Sequence, residues 1–230
     1  MSKRILMVLT SHEDMGLSGK KTGNWFDEVA TPYYLFKQAG HEVVLASPKG
    51  GSAPIDPFSY DEMFMTENTH KFLKDPAAMR DLSNTSVLRN INYRSFDAAF
   101  FPGGYGQLWD LANDSFALQM IQDLIYTNKH VALICHAPAI LRDVKKPNGE
   151  PLVKGMNVTG FSNSEDDELS LSRHLLFQLE TALKEKGANY QRSEKNWVPK
   201  VVVDGYLITG QNPATSPFIA KTLIEQLAKV

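Results

Sequence analysis

Short, almost unbroken apolar runs set the frame for this chain: Ile5-Leu6-Met7-Val8-Leu9, Val43-Val44-Leu45-Ala46, Ala98-Ala99-Phe100-Phe101 and Val131-Ala132-Leu133-Ile134. Runs this brief, bounded by polar or turn-forming residues, read as strands buried on both faces, the kind that parallel sheets contain. Helical patterns alternate with them: Trp25 to Gly40, then Gln107 to Asn128 with Leu108, Leu111, Leu118, Ile121 and Leu124 at roughly helical spacing, and Thr215 to Lys229 at the end. The alternation predicts an α/β fold, a flavodoxin-like doubly wound and mostly parallel sheet with helices on both faces. Gly155 to Phe161 reads as a fifth strand, followed by a leucine-bearing helix that Gly187 ends. Val201 to Thr209 reads as a C-terminal β-hairpin turning at Asp204-Gly205.

With 230 residues and 43% hydrophobic content, the chain is long enough for one substantial core, and a single domain over 1–230 is expected. Residues 53–95 form an irregular insertion or cap, with Pro54, Pro57, Pro76 and a helix start at Asn84 or Thr85. That length is too great for an ordinary connection, so the segment is expected to cover something or to meet a partner subunit. The formal charge of −2 and the lack of a basic run argue against nucleic acid or an anionic membrane as partner. Ile5 to Leu9 is too short for a signal-peptide core or a spanning helix, and one cysteine forms no internal disulfide, so a cytoplasmic, reducing setting is expected. The six histidines lack zinc-ligand spacing, and neither a metal nor a cofactor is expected.

Chemistry concentrates where the apolar runs end. Cys135, with His136 beside it, follows the fourth run and precedes Pro138, so it falls on a strand-to-helix turn. Backbone N–H groups and a helix dipole there favour thiolate over thiol, the physical logic of a nucleophile elbow, although the GxSxG spelling is absent. The alternative is a buried cysteine acting as a small hydrophobe, with His136 a hydrogen-bonded wall residue. Glu28 lies just past the first run, on a helix that either begins near Pro32 or is kinked there; an exposed helical glutamate is its alternative. Gly103 and Gly104 after the third run suit either an anion-binding nest or a plain tight turn. Ser162 to Glu168 places Glu165 and Asp166 in a first helical turn, where the dipole stabilises negative charge. Ligands of open α/β sheets gather at the carboxyl ends of the strands, and all of these groups fall there.

Taken together, Thr22-Gly23-Asn24-Trp25-Phe26-Asp27-Glu28, Ala46-Ser47-Pro48-Lys49-Gly50-Gly51, Phe101-Pro102-Gly103-Gly104, Ile134-Cys135-His136-Ala137-Pro138-Ala139, Val158-Thr159-Gly160-Phe161 and Thr209-Gly210-Gln211-Asn212-Pro213 resemble the ThiJ/PfpI superfamily over nearly the whole chain. The likeness is greatest to its branch of heat-shock chaperones and glutathione-independent glyoxalases, glyoxalase III. The resemblance implies Cys135 as nucleophile, His136 as general acid or base, Glu28 as the carboxyl group bonded to the sulfur, and Asp166 or Glu165 as the third triad member. It implies an oxyanion hole from the N–H groups of Gly104 and His136 beside Gly103. Tyr105 departs from the pattern, since relatives commonly carry His there.

The activity so implied is conversion of methylglyoxal and related 2-oxoaldehydes to 2-hydroxy acids such as lactate, without glutathione, through a cysteine hemithioacetal. The resemblance also favours a homodimer. Rival readings are a stress holdase that binds unfolded client proteins through an exposed apolar patch, a protein deglycase, a cysteine redox sensor and a peptidase-like hydrolase.

Overall fold

The computed structural model describes residues 2–229. Its strands are β1 (Arg4–Val8), β2 (Glu42–Ser47), β3 (Ser86–Val87), β4 (Ala98–Phe101), β5 (His130–Ile134), β6 (Asn157–Val158), β7 (Asn189–Tyr190), β8 (Val201–Asp204) and β9 (Leu207–Gly210). The helices are α1 (Phe26–Gln38), α2 (Glu67–Lys74), α3 (Pro76–Ser83), α4 (Ser115–Tyr126), α5 (Asn163–Glu168), α6 (Leu179–Glu185) and α7 (Ser216–Leu227). Seven strands form one sheet in the order β3-β2-β1-β4-β5-β9-β8. Every neighbouring pair is parallel except β8 with β9, which meet antiparallel as the expected hairpin, Gly205 taking a φ of 58° in its turn. The central run β2-β1-β4-β5-β9 is the doubly wound flavodoxin order, whose direction of winding reverses between β1 and β4.

Side chains alternate across each strand, and here both sets are buried. Ile5, Met7, Phe100, Ala132 and Ile134 face a core completed by α1 and α7, with Phe26, Val29, Tyr33, Ile219 and Leu223, and by α2 and α3 through Phe72 and Leu82. Leu6, Val8, Phe101 and Leu133 face the opposite core, built with Ile121 and Leu124 of α4 and Leu179 and Leu183 of α6. Two covered faces explain why the strands carry unbroken apolar runs rather than alternation.

Four local expectations are corrected. Gly155 to Phe161 does not join the main sheet: only Asn157–Val158 is extended, and it pairs with β7 in a separate two-stranded sheet. The leucine-bearing helix is broken, because Ser170 takes a φ of 56° and a 3-10 turn at Ser172–His174 separates α5 from α6. The helical stripe from Gln107 is likewise divided into 3-10 turns at Tyr105–Leu108 and Leu111–Asn113 before α4, which Asp114 caps through the N–H groups of Phe116 and Ala117. Residues 53–95 hold two α-helices, the edge strand β3 and 3-10 turns at Pro57–Tyr60, Leu88–Asn90 and Tyr93–Ser95, so that the helical piece expected to start at Asn84 or Thr85 begins instead at Leu88 as a 3-10 turn. Asp75 separates α2 from α3 and caps the latter through the N–H groups of Ala77 and Ala78. Among the described residues no helix is long and apolar enough to cross a membrane.

Candidate active site

β1, β4, β5 and β9 present their carboxyl ends to one edge of the sheet, and the candidate side chains stand just past them. Cys135 follows β5 with a φ of 60°, a left-handed conformation that a residue with a Cβ adopts at a cost. Its N–H donates to the Gly210 carbonyl (3.0 Å) and its carbonyl accepts from Phe161 N–H (2.8 Å), so both ends of the kink are held. The kink lets neighbouring side chains meet: His136 Nδ1 lies 3.5 Å from Cys135 Sγ. Instead of the expected α-helix, a 3-10 helix over Ala137–Arg142 follows.

His136 Nε2 is 3.1 Å from Asp166 Oδ1, at side-chain exposures of 1% and 0%. The Tyr105 hydroxyl donates to the same oxygen (3.1 Å), and Asp166 Oδ2 is buried with no partner among the described residues. The imidazole is wedged between the rings of Tyr105 and Phe161, with centroids 4.2 and 4.4 Å away. Its orientation is therefore fixed by packing as well as by the carboxylate. Burial, and then Asp166, push the Tyr105 phenol far up, so it stays a proton donor.

Glu165 has a different position. Its carboxylate accepts from Ser162 N–H (2.9 Å), Ser162 Oγ (2.7 Å), Trp197 N–H (2.9 Å), Asn212 Nδ2 (2.8 Å) and Gln211 Nε2 (3.1 Å). Its Oε2 closes a capping box with Ser162 at the start of α5. Neighbours on a helix point about 100° apart, and of this pair it is Asp166 that reaches His136.

Glu28 is completely buried in the first turn of α1, whose N-cap is Trp25; Pro32 lies inside this helix rather than at its start. One carboxyl oxygen accepts Gly103 N–H at 2.7 Å, and the other is buried without a hydrogen-bond partner among the described residues. Burial pushes Glu28 up to about 8 against the pull of Gly103 N–H and of the Cys135 side chain. Burial, and then the charge Glu28 would carry, push the Cys135 thiol upward too, while the N–H groups of Gly104 and His136 draw it down. The thiolate expected from backbone N–H groups alone is thus opposed by desolvation. A protonated Glu28 removes the like charge and offers the sulfur a donor, so the protonation of each group depends on that of the other.

Gly103 and Gly104 are required sterically. A Cβ on Gly103 would stand 2.5 Å from the Cys135 Cβ and 2.6 Å from Glu28 Oε2; on Gly104, at a φ of 110°, it would meet the Gly23 carbonyl at 2.1 Å. The missing side chains let Glu28, the sulfur and the N–H of Gly104 crowd around one point. Asn24 ties this region together, receiving Thr10 N–H (2.9 Å) and donating to the Thr10 and Pro54 carbonyls (3.1 and 2.8 Å).

Above the sulfur opens a cleft of about 490 Å³, with Gly104, Tyr105, Cys135 and His136 among its lining residues and Trp25, Phe58, Phe64, Phe161 and Trp197 around them. Phe58 and Phe64 come from the 53–95 segment, which therefore contributes to the cleft. The sequence reading did not single out Trp197, although a lone tryptophan in the polar stretch Glu194-Lys195-Asn196-Trp197 is an available signal. Among the described residues no group of three or more His, Cys, Asp or Glu side chains is arranged to hold a metal ion.

Comparison with known proteins agrees with this architecture. The chain is 31% identical to the glutathione-independent glyoxalase HSP31 of Saccharomyces cerevisiae, with 98% of each chain covered. It is 30% identical to glyoxalase 3 of Candida albicans, over 96% of this chain and 97% of that one. The solved structure of the 24 kDa Rapid Encystment Protein of Francisella tularensis superposes with a TM-score of 0.93 at 36% identity, covering 98% of this chain and 99% of the other. A strand-end cysteine, its histidine and a buried glutamate thus stand in a fold shared with these proteins, and the sequence profile of the DJ-1/PfpI family matches residues 26–226: the chain belongs to the DJ-1/PfpI family.

Proposed function

We propose that the protein is a glutathione-independent glyoxalase that converts 2-oxoaldehydes to 2-hydroxy acids, methylglyoxal to lactate being the simplest case. The observation that carries the reading is the Cys135–His136–Asp166 chain, with contacts of 3.5 and 3.1 Å at the floor of a cleft that also receives Gly104. The relatives' activities support it.

In this reading sulfur adds to the aldehyde carbon, and the thiol proton passes to the new oxygen through His136, giving a hemithioacetal. The N–H groups of Gly104 and His136 stabilise the transient oxyanion, an interaction that contributes roughly 3–4 kcal/mol in comparable sites. Neutral His136 removes the hydrogen of the first carbon as a proton and returns it to the second through an enediol, leaving a 2-hydroxy thioester. Asp166 orients the ring and stabilises its charged form. Water then cleaves the thioester, the sulfur leaves as thiol, and the sum is substrate plus one water, with no outside oxidant or thiol. Glu28, which burial pushes up to about 8, stands beside the sulfur and offers it a donor in its protonated form.

Purified protein incubated with methylglyoxal in the absence of glutathione is expected to form lactate in proportion to enzyme. Aldehyde loss without lactate, or no loss at all, overturns the reading. A homodimer belongs to the same proposal, and light scattering on the purified protein tests it.

A further inference from the structure

The cleft is much larger than the reaction needs. At about 490 Å³ it has room for roughly sixteen waters at about 30 Å³ each, whereas the reacting unit of a 2-oxoaldehyde is two carbons and two oxygens. Such a volume falls within the roughly 300–1,000 Å³ of pockets that enclose far bulkier ligands.

The surplus space is walled by aromatic rings from separate segments. Trp25, Phe58 and Phe64 form an edge-to-face cluster, with centroids 5.0 to 6.2 Å apart. Trp197 stands edge-on to Phe161 at 5.6 Å, and Phe161 in turn packs on the His136 ring. Among the described residues no ring contact joins the two groups, yet all five rings line the cleft.

Trp197 is held there deliberately. Its φ of 64° is unfavourable for a bulky residue, and it is maintained by two carboxylates: its backbone N–H donates to Glu165 and its indole N–H to Glu168, both at 2.9 Å. The residue is still 37% exposed and lines the cleft, so the two bonds hold the indole at the cleft wall rather than bury it. Among the described residues no lysine or arginine lines the cleft, and Glu168 is its acidic residue. A substrate carrying phosphate or carboxylate therefore finds no lysine or arginine to pair with, while a neutral ring finds several edges and faces suited to stacking.

Resting on the glyoxalase reading above, we propose that the preferred substrates are 2-oxoaldehydes bearing an aryl or similarly extended apolar group on the ketone carbon, and that Trp197 is the specificity-determining residue. The acid product gains a charge that no lysine or arginine among the described lining residues pairs with and that Glu168 repels, which favours its release.

The test compares phenylglyoxal with methylglyoxal. Wild-type kcat/KM is expected to favour phenylglyoxal roughly ten-fold or more, the discrimination typical of an added apolar contact. Trp197→Ala should lower the phenylglyoxal value by roughly ten-fold, through KM, and the methylglyoxal value by less than about three-fold, while Trp197→Phe restores most of the preference. Equal or better use of methylglyoxal by the wild type, or equal losses for both substrates in Trp197→Ala, overturns the inference. Should neither aldehyde be turned over, the glyoxalase reading fails by itself, and calorimetric titration with unreactive acetophenone decides the remainder: binding weakened by Trp197→Ala supports the aromatic site, and absence of binding overturns it.

Discussion

Glu165 and Glu28 are both glutamates with no exposed surface, each in the first turn of a helix, yet their surroundings differ. Around Glu165 the chain gathers backbone and side-chain donors from Ser162, Trp197, Gln211 and Asn212. At the sheet edge Glu28 has one N–H and an orphaned oxygen, and Asp166 beside the imidazole has an orphaned oxygen as well. A buried carboxylate whose acceptors are filled is a structural fixture, whereas burial with a single backbone donor holds the Glu28 carboxyl well above the usual carboxylate range. The molecule thus separates its carboxylates into one that ties loops together, Glu165, and those that stand beside Cys135 and His136.

The sharpest way to break this contrast is to exchange the roles of the adjacent acids. Asp166→Asn is expected to lower kcat/KM for 2-oxoaldehydes by roughly 10²–10⁴-fold with little change in melting temperature, because it disables the partner of His136 without removing a cap. Glu165→Ala should do the reverse. It strands the N–H groups of Ser162 and Trp197 and the amide of Asn212, and a loss of about 3–5 kcal/mol is expected, read as a fall of about 10 °C in melting temperature. If Glu165→Ala is fully stable, the saturated network is not the fixture described.

Glu28 sharpens the comparison through pH. Its folded value of about 8 lies above the ordinary 4.5, so the folded state holds a proton the unfolded state has released between those values. Stability from this group is fully present below about pH 4.5, falls by up to about 1.4 kcal/mol per pH unit above it, and is lost once pH passes the folded value. Thermal melts from pH 5 to 9 should show Glu28→Gln gaining on the wild type as pH rises; parallel curves would place an ionised carboxylate at Glu28. The smallest effect is expected for Tyr105→Phe, which removes one donor from Asp166 and leaves the ring against His136. Activity should fall by less than about ten-fold, and a larger loss in steady-state kinetics would give the phenol a direct part in the reaction.

Much of the frame was legible because strands covered on both faces have to be apolar throughout, and β1, β2, β4 and β5 fall on the runs that announced them. The region from Gly155 to Glu185 was not. Its leucines pack from a broken path through Ser170 and a 3-10 turn, and β6 pairs with a strand more than thirty residues away, neither of which has a local periodicity. At the site, Cys135, His136, Glu28 and the two glycines were legible as strand-end residues. Which of Glu165 and Asp166 meets His136 depends on the rotation of one short helix, and composition cannot express that. The thiol's upward shift was hidden for a related reason: backbone N–H groups are implied by a turn, whereas the burial of Cys135 comes from segments distant in sequence. Trp197 stayed out of sight because its place is set by hydrogen bonds to Glu165 and Glu168, in another segment.

The account rests on the Cys135 sulfur as the atom that bonds to the aldehyde. Lactate production from methylglyoxal, measured without glutathione for wild type and Cys135→Ala at equal folded concentration, puts that to the test. Wild-type turnover with none above the uncatalysed rate in Cys135→Ala is the predicted result, and lactate formed by Cys135→Ala at a rate comparable to wild type would contradict it.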